Sequence, residues 1–372
     1  MSAPRGLHTA TLLKNGMVLI AGGFTDGTSA SNVATAELFD PVTSQFTQIA
    51  PMTSPRGGHS ATLLPSGQVF LFGGGSDVQK TAELFDPVSA TFQVISRPSG
   101  GSRRYHSATL LPSGKILLAG GQADQGMTNS AEVFDPATLT FTATSNMTAK
   151  RSLHTASLLP DGKVLLTGGA NDQFFPLRTV EIYDPITNTF SPVPVEMALP
   201  RYGHSATVTS TSNCVVLAGG TGFSSEGTNA VELFDPMTST LHLLQPETLR
   251  GYRYGHTATA IGGDKLLLAG GIATNTSVNG TLATAEVIDL ETASAAPRPM
   301  ITSFTFSMNS GFVSVRGKGV PKYFVHVQRS LSPVADFQTT GAAYTDADGV
   351  FVWTQALPGT FDKPQFFRAI VP

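Results

Sequence analysis

Eight histidines, one cysteine and a recurring set of arginine and glutamate side chains are the groups in this chain that could do chemistry. Imidazole nitrogens ligate metals and carry protons near neutral pH, and guanidinium groups clamp carboxylates through paired hydrogen bonds. Six of the eight histidines stand three residues after an arginine: Arg5/His8, Arg56/His59, Arg103/His106, Arg151/His154, Arg201/His204 and Arg253/His256. Each is followed fourteen or fifteen residues later by a glycine pair, and the pairs recur every 47 to 51 residues. Five units continue into Glu-x-aromatic-Asp-Pro, at Glu37 to Pro41, Glu83 to Pro87, Glu132 to Pro136, Glu181 to Pro185 and Glu232 to Pro236; the sixth copy, Glu286 to Leu290, is degenerate. A histidine at a fixed place in a repeat belongs first to the repeat, so the architecture must be settled before metal or proton chemistry is read into it.

The elements that hold these residues are short strands. His59 to Leu64 is one, closed by the turn residues Pro65-Ser66-Gly67. Gln68 to Phe72 is a continuous apolar run that suits a strand buried on both faces. The glycine pair ends it, Thr81 to Phe85 is a third strand stopped by Asp86-Pro87, and Phe92 to Ile95 is a fourth. Four antiparallel strands per unit, six times over, describe an all-β chain whose units are blades of a β-propeller.

The arginine–histidine spacing, the strand ending in Gly-Gly and the Glu-x-aromatic-Asp-Pro segment together resemble the Kelch repeat in its bacterial form, within the galactose-oxidase-like superfamily. The likeness covers roughly residues 1 to 300, with the usual fourth-strand tryptophan replaced by Phe46, Phe92, Phe141, Phe190 and then Leu241. It implies blades at 1–53, 54–98, 99–148, 149–198, 199–248 and 249–300, closed by packing blade six on blade one. Met1-Ser-Ala-Pro-Arg5 matches Met52-Thr-Ser-Pro-Arg56 in offset, which fits a native start in register or a piece of a longer array with a larger ring. From residue 301 to 372 the pattern changes to alternation at Phe304/Phe306/Met308, Tyr323/Val325/Val327 and Val350/Val352, read as a small β-sandwich-like domain similar to C-terminal modules of secreted bacterial proteins.

Bulk properties exclude several functions. Lys+Arg 23 against Asp+Glu 26 gives a formal charge of −3, without the basic stripe that nucleic acid requires. Cys214 alone excludes internal disulfides and cysteine-based zinc clusters. No apolar stretch is long enough to span a membrane. The Ser/Thr/Gly-rich loops suit an extracellular or surface-displayed protein, although no signal peptide is visible.

Whatever occurs once per blade serves the blade. The repeat histidines are therefore expected to hydrogen-bond between blades, and each repeat arginine to pair with its unit's glutamate; no metal, cofactor or catalytic residue is expected. The superfamily's copper-radical oxidases need a Cys–Tyr crosslink, a second tyrosine and two histidine ligands, whereas Cys214 reads as a core residue of a buried strand and no histidine pair lies outside the repeat.

Departures from the repeat gather elsewhere. Arg104, Tyr105, Tyr202, Arg250, Tyr252 and Tyr254 fall in segments linking one blade to the next, and Asp172, Phe174, Phe175 and Phe223 in the loops after the glycine pairs. Both sets should emerge on one face, which in Kelch proteins is the binding face. These ten residues are the candidate site for a protein or glycan ligand, with the tyrosines alternatively plugging blade junctions. A second reading is a polysaccharide lyase or hydrolase using Tyr/Arg or the scattered acids Asp26, Asp124, Asp172 and Glu226.

Overall fold

The computed structural model describes residues 1–25, 31–75, 81–96, 102–123, 125–210, 212–222, 228–244, 249–274 and 279–290, with six strands between 300 and 370. Blade one is Thr9–Leu12, Val18–Ala21, Ala36–Asp40 and Gln45–Gln48, hydrogen-bonded in that order, and blades two to five repeat it. In blade two the strands are Ser60–Leu63, Val69–Phe72, Thr81–Asp86 and Thr91–Ser96, within a residue or two of the spans read from sequence. Blade six has three described strands, Thr257–Ala260, Lys265–Ala269 and Ala285–Asp289. Its expected fourth strand falls in residues 291–299, outside the described set.

Side chains of the second strand alternate between the two neighbouring blades. Leu19 and Ala21 of blade one meet Val69 and Leu71 of blade two, while Phe70 and Phe72 meet Ile116 and Leu118 of blade three. The same alternation builds cores between blades three and four, four and five, and five and six. Both faces of this strand are buried in blades two to five, which is why its sequence is apolar without alternation. Full burial of each such side chain contributes about 1.5–3 kcal/mol. The phenylalanines of the fourth strand pack on the third-strand aromatic directly opposite, as in Phe85–Phe92 at 5.0 Å and Tyr183–Phe190 at 4.9 Å between ring centroids.

The repeat arginine anchors the glycine pair. Arg56 donates to the Gly73 carbonyl at 2.8 Å and to Glu83, with both side chains fully buried. Arg–Glu pairs occupy this place in all six units. The other carboxylate oxygen of Glu83 accepts the Thr53 N–H at 2.8 Å, tying down the segment that leads into Arg56. The Asp of each Asp-Pro accepts the N–H two residues on, as Asp86 does from Val88, and so closes the turn.

Two loops that follow glycine pairs carry strands of their own, and one sequence-based assignment shifts by a residue. After the glycine pair of blade six, Ile272–Thr274 pairs with Asn279–Thr281, and blade three has a similar ribbon after its own pair, Gln122–Ala123 with Gly126–Met127. Cys214 lies one residue ahead of the strand Val215–Ala218 rather than inside it, but is buried as expected. Beyond residue 300 the chain forms two three-stranded antiparallel sheets, Met300–Ser307, Phe312–Lys318 and Val350–Ala356 in one and Gln338–Tyr344, Phe324–Ser330 and Phe366–Ile370 in the other. Met308 and Tyr323 are outside the described residues.

Candidate interaction face

Five of the six repeat histidines are engaged between blades. Nε2 of His59 lies 3.0 Å from the Thr9 hydroxyl of the preceding blade, and His106, His154, His204 and His256 make the same bond to Ser60, Ser107, Thr155 and Ser205 at 2.8–3.1 Å. Burial, then the neighbouring repeat arginine, pushes His59 and His154 down to about 3 and His256 to about 4. These imidazoles are neutral hydrogen-bonding links between blades at physiological pH. Burial pushes the Cys214 thiol up to about 12, so it carries no thiolate for nucleophilic or ligand chemistry.

The blade-linking segments and the loops after the glycine pairs are zipped together by backbone bridges: Gly6 with Phe24, Arg104 with Gln122, Ser152 with Ala170, Tyr202 with Thr221 and Tyr254 with Ile272. Strands one and two of a blade are antiparallel, so the end of one and the start of the other must share a side. Next to these bridges, nearest the axis, runs a chain of backbone hydrogen bonds from blade to blade: Gly58 N–H to Leu7 O, Tyr105 to Gly58, Leu153 to Tyr105, Gly203 to Leu153 and Gly255 to Gly203, at 2.8–3.0 Å. All six residues have positive φ, including the non-glycines Leu7 (53°), Tyr105 (56°) and Leu153 (53°). Sequence reasoning passed over Leu7 and Leu153, although their alignment with three glycines was the available signal.

The candidate residues divide accordingly. Arg104 exchanges backbone bonds with Gln122 at 3.0 and 2.8 Å, which leaves its side chain half-buried beside the ring. The Tyr105 ring covers Gly58, where an added Cβ would meet it at 2.8 Å, and Tyr254 covers Gly203 in the same way at 3.5 Å. These two rings fill the space above a glycine of the preceding blade, as the junction-plugging alternative requires. Tyr202 is half-buried, with its phenol pushed up by burial and by Tyr254 nearby. Arg250 donates its N–H to Glu286 at 2.9 Å, and its side chain and Tyr252 are exposed on the approach to blade six. Phe223 lies outside the described residues, as do Asp26, Asp124 and Glu226.

Asp172 is committed to structure. It accepts the Met127 N–H of blade three at 2.7 Å and pairs with Lys150 at 2.8 Å, and that lysine holds its carboxyl below the usual range. It clamps the loop of blade four to the ribbon of blade three. At the tip of the clamped loop, Phe174 and Phe175 are 57% and 55% exposed. Asn171 fixes them there: its Oδ1 accepts the N–H groups of Gln173 and Phe175 at 3.0 Å each, and its backbone bonds to both phenylalanines. Phe174 sits at φ 59°, a conformation a phenylalanine adopts only under constraint.

Among the described residues no helix is long and apolar enough to cross a membrane. No curated protein matches the chain. The family model of the KLHDC2/KLHL20/DRC7 Kelch-repeats domain matches residues 7–200, just over half of the sequence. With five units of one four-strand order, a sixth with three described strands, and the arginine clamp and glycine pair in all six, the chain belongs to the Kelch-repeat propellers, a family whose typical use is protein interaction.

Proposed function

We propose that this chain is a non-catalytic module that binds a protein partner on the face formed by the blade-linking segments and the loops after the glycine pairs. The observation that carries this reading is the Phe174/Phe175 pair: two large apolar side chains held in solvent by a turn anchored through Asn171 and Asp172. Large aromatics presented on a rigid loop, with arginine on the same face, are the usual chemistry of a recognition hot spot. Arg104 and Tyr202 border the same face from the neighbouring linkers. Five of the repeat histidines, the cysteine and Asp172 are engaged in structure.

The test is selection of a displayed peptide library on the full chain, followed by affinity measurement on a Phe174→Ser/Phe175→Ser variant. Selected peptides should lose at least tenfold in affinity on the variant while its thermal midpoint stays unchanged. Equal binding to both proteins would move the site away from this loop. A glycan array in parallel gives the carbohydrate reading its chance: binding lost in Tyr202→Ala but kept in the phenylalanine variant would favour it. Product release from a uronate polymer would replace the module by a lyase.

A further inference from the structure

Five of the six blade junctions repeat one set of bonds, and among the described residues the junction between blade six and blade one has none of them. Within the five, a Gly-Gly N–H donates to the next repeat arginine's carbonyl, as Gly23 does to Arg56 and Gly220 to Arg253, at 2.7–2.9 Å. A repeat histidine also bonds back to a Ser/Thr hydroxyl at each of the five. The corresponding groups at the sixth junction are Gly271 N–H and the Thr257 hydroxyl on blade six, and the Arg5 carbonyl and His8 Nε2 on blade one. Thr257 turns instead to its own blade's Ala269 carbonyl at 3.4 Å, and His8 bonds only to the Arg5 carbonyl through Nδ1. A Cβ on Gly22 would lie 2.5 Å from the next blade's arginine carbonyl, whereas one on Gly270 would meet nothing of blade one.

The apolar faces tell the same story. On blade six, Ile261 is 50% exposed, Ala285 is exposed and Ala269 is half-buried, at positions that are buried in the other units, and Val287 is 52% exposed where its counterparts are buried or half-buried. On blade one, Leu12 is 63% exposed, and Val18 and Phe39 are half-open where Val69 and Phe85 are fully buried. Each open face has a fully described counterpart, so the chemistry that covers it is known from the other five junctions.

We infer that the space between blade six and blade one is a slot for one further Kelch blade, with a histidine and arginine carbonyl facing Thr257 and Gly271 and a Ser/Thr hydroxyl and Gly N–H facing His8 and Arg5. Five junctions share one set of bonds, and the end faces of blades six and one make none of them among the described residues. A blade in the slot satisfies both faces with that same set. A second copy of this chain does not fit the role, because its blades two to five have both faces covered and its end blades each offer only one. The slot is a surface separate from the phenylalanine loop.

The experiment supplies the blade. Residues 148–196 are fused directly ahead of Met1 in the full chain, which preserves the spacing by which Met197 leads to Arg201. The fusion should be a monomer with a higher thermal midpoint and severalfold less binding of a hydrophobic dye than the unfused chain. His8, followed by NMR, should titrate at lower pH in the fusion than in the unfused chain, and should return toward the unfused value in the fusion whose donated blade has its copy of Thr155 replaced by Ala and its copy of Gly169 by Val. Three results would overturn the inference. One is an unfused chain in which His8 already fails to titrate and Leu12→Cys and Val287→Cys crosslink directly. Another is an unfused chain that buries these faces as a stable dimer. The third is a fused blade that is cleaved by protease with no change in midpoint.

Discussion

Arg151 and Glu181 meet at 2.6 Å in blade four with both side chains fully buried, and the same arginine reaches the Gly168 carbonyl at 2.6 Å. One side chain thereby joins the second strand, the third strand and the linker from the preceding blade, because Glu181 also accepts the Thr148 N–H at 2.8 Å.

Removing one partner leaves the other charged and buried. Arg151→Met should lower the unfolding free energy by about 3–5 kcal/mol. Arg178→Met, which breaks an exposed pair with Glu196 at 3.7 Å, should change it by less than about 1 kcal/mol. Urea unfolding of both variants checks the contrast, and equal effects would refute the clamp.

The glycine pairs are places where backbone meets backbone. Gly120 has φ 63°, and a Cβ there would stand 2.5 Å from the Arg151 carbonyl and 2.9 Å from the His154 ring. Gly120→Ala should therefore cost about 2 kcal/mol or more. Gly251→Ala, with nothing within 4 Å and no positive φ, should stay within about 0.5 kcal/mol. Thermal unfolding of the two proteins decides it.

The inter-blade histidines make stability depend on pH. His59 and His154 are held near 3 and His256 near 4 in the folded state by burial, against an unfolded value of 6.5. The unfolded chain binds more protons between those limits, so stability is complete above about pH 6.5 and falls as pH drops toward the folded values. Each such histidine contributes about 1.4 kcal/mol per pH unit inside that window. Urea midpoints between pH 7 and pH 5 should show the decline, and His154→Gln should reduce the slope by one proton. A flat profile would mean that the imidazoles are not buried neutral.

Asn171 should matter for recognition without touching a ligand. Its side chain organises the turn that exposes Phe174 and Phe175. Asn171→Ala should cost about 1 kcal/mol of stability and weaken peptides selected on this loop, whereas Gln173→Ala, at an exposed position of the same turn, should weaken them less. Calorimetric titration of both variants separates positioning from contact.

Much of this was readable from residue order alone. The six units, the buried second strand, the turn at each Asp-Pro and the arginine–glutamate pairing follow from local periodicity and from the need to neutralise a buried charge. The inter-blade role of the histidines was readable too, but their acceptors were not, because Thr9 for His59 or Ser107 for His154 are fixed only once blades stack. Asp172 stood out as a free acid in sequence, and three-dimensional neighbours turned it into a clamp.

The sequence by itself determined the blade: strand order, core side chains and the arginine that holds the glycine pair, all set by contacts within about fifty residues. Only the tertiary structure decided which departures from the repeat stand in solvent and which fill a junction, as Phe174 and Tyr105 divide. It alone also showed that, among the described residues, blades six and one make none of the bonds of the other junctions. Ring closure depends on the angle each junction adopts, which is a sum over packed faces that no single unit encodes.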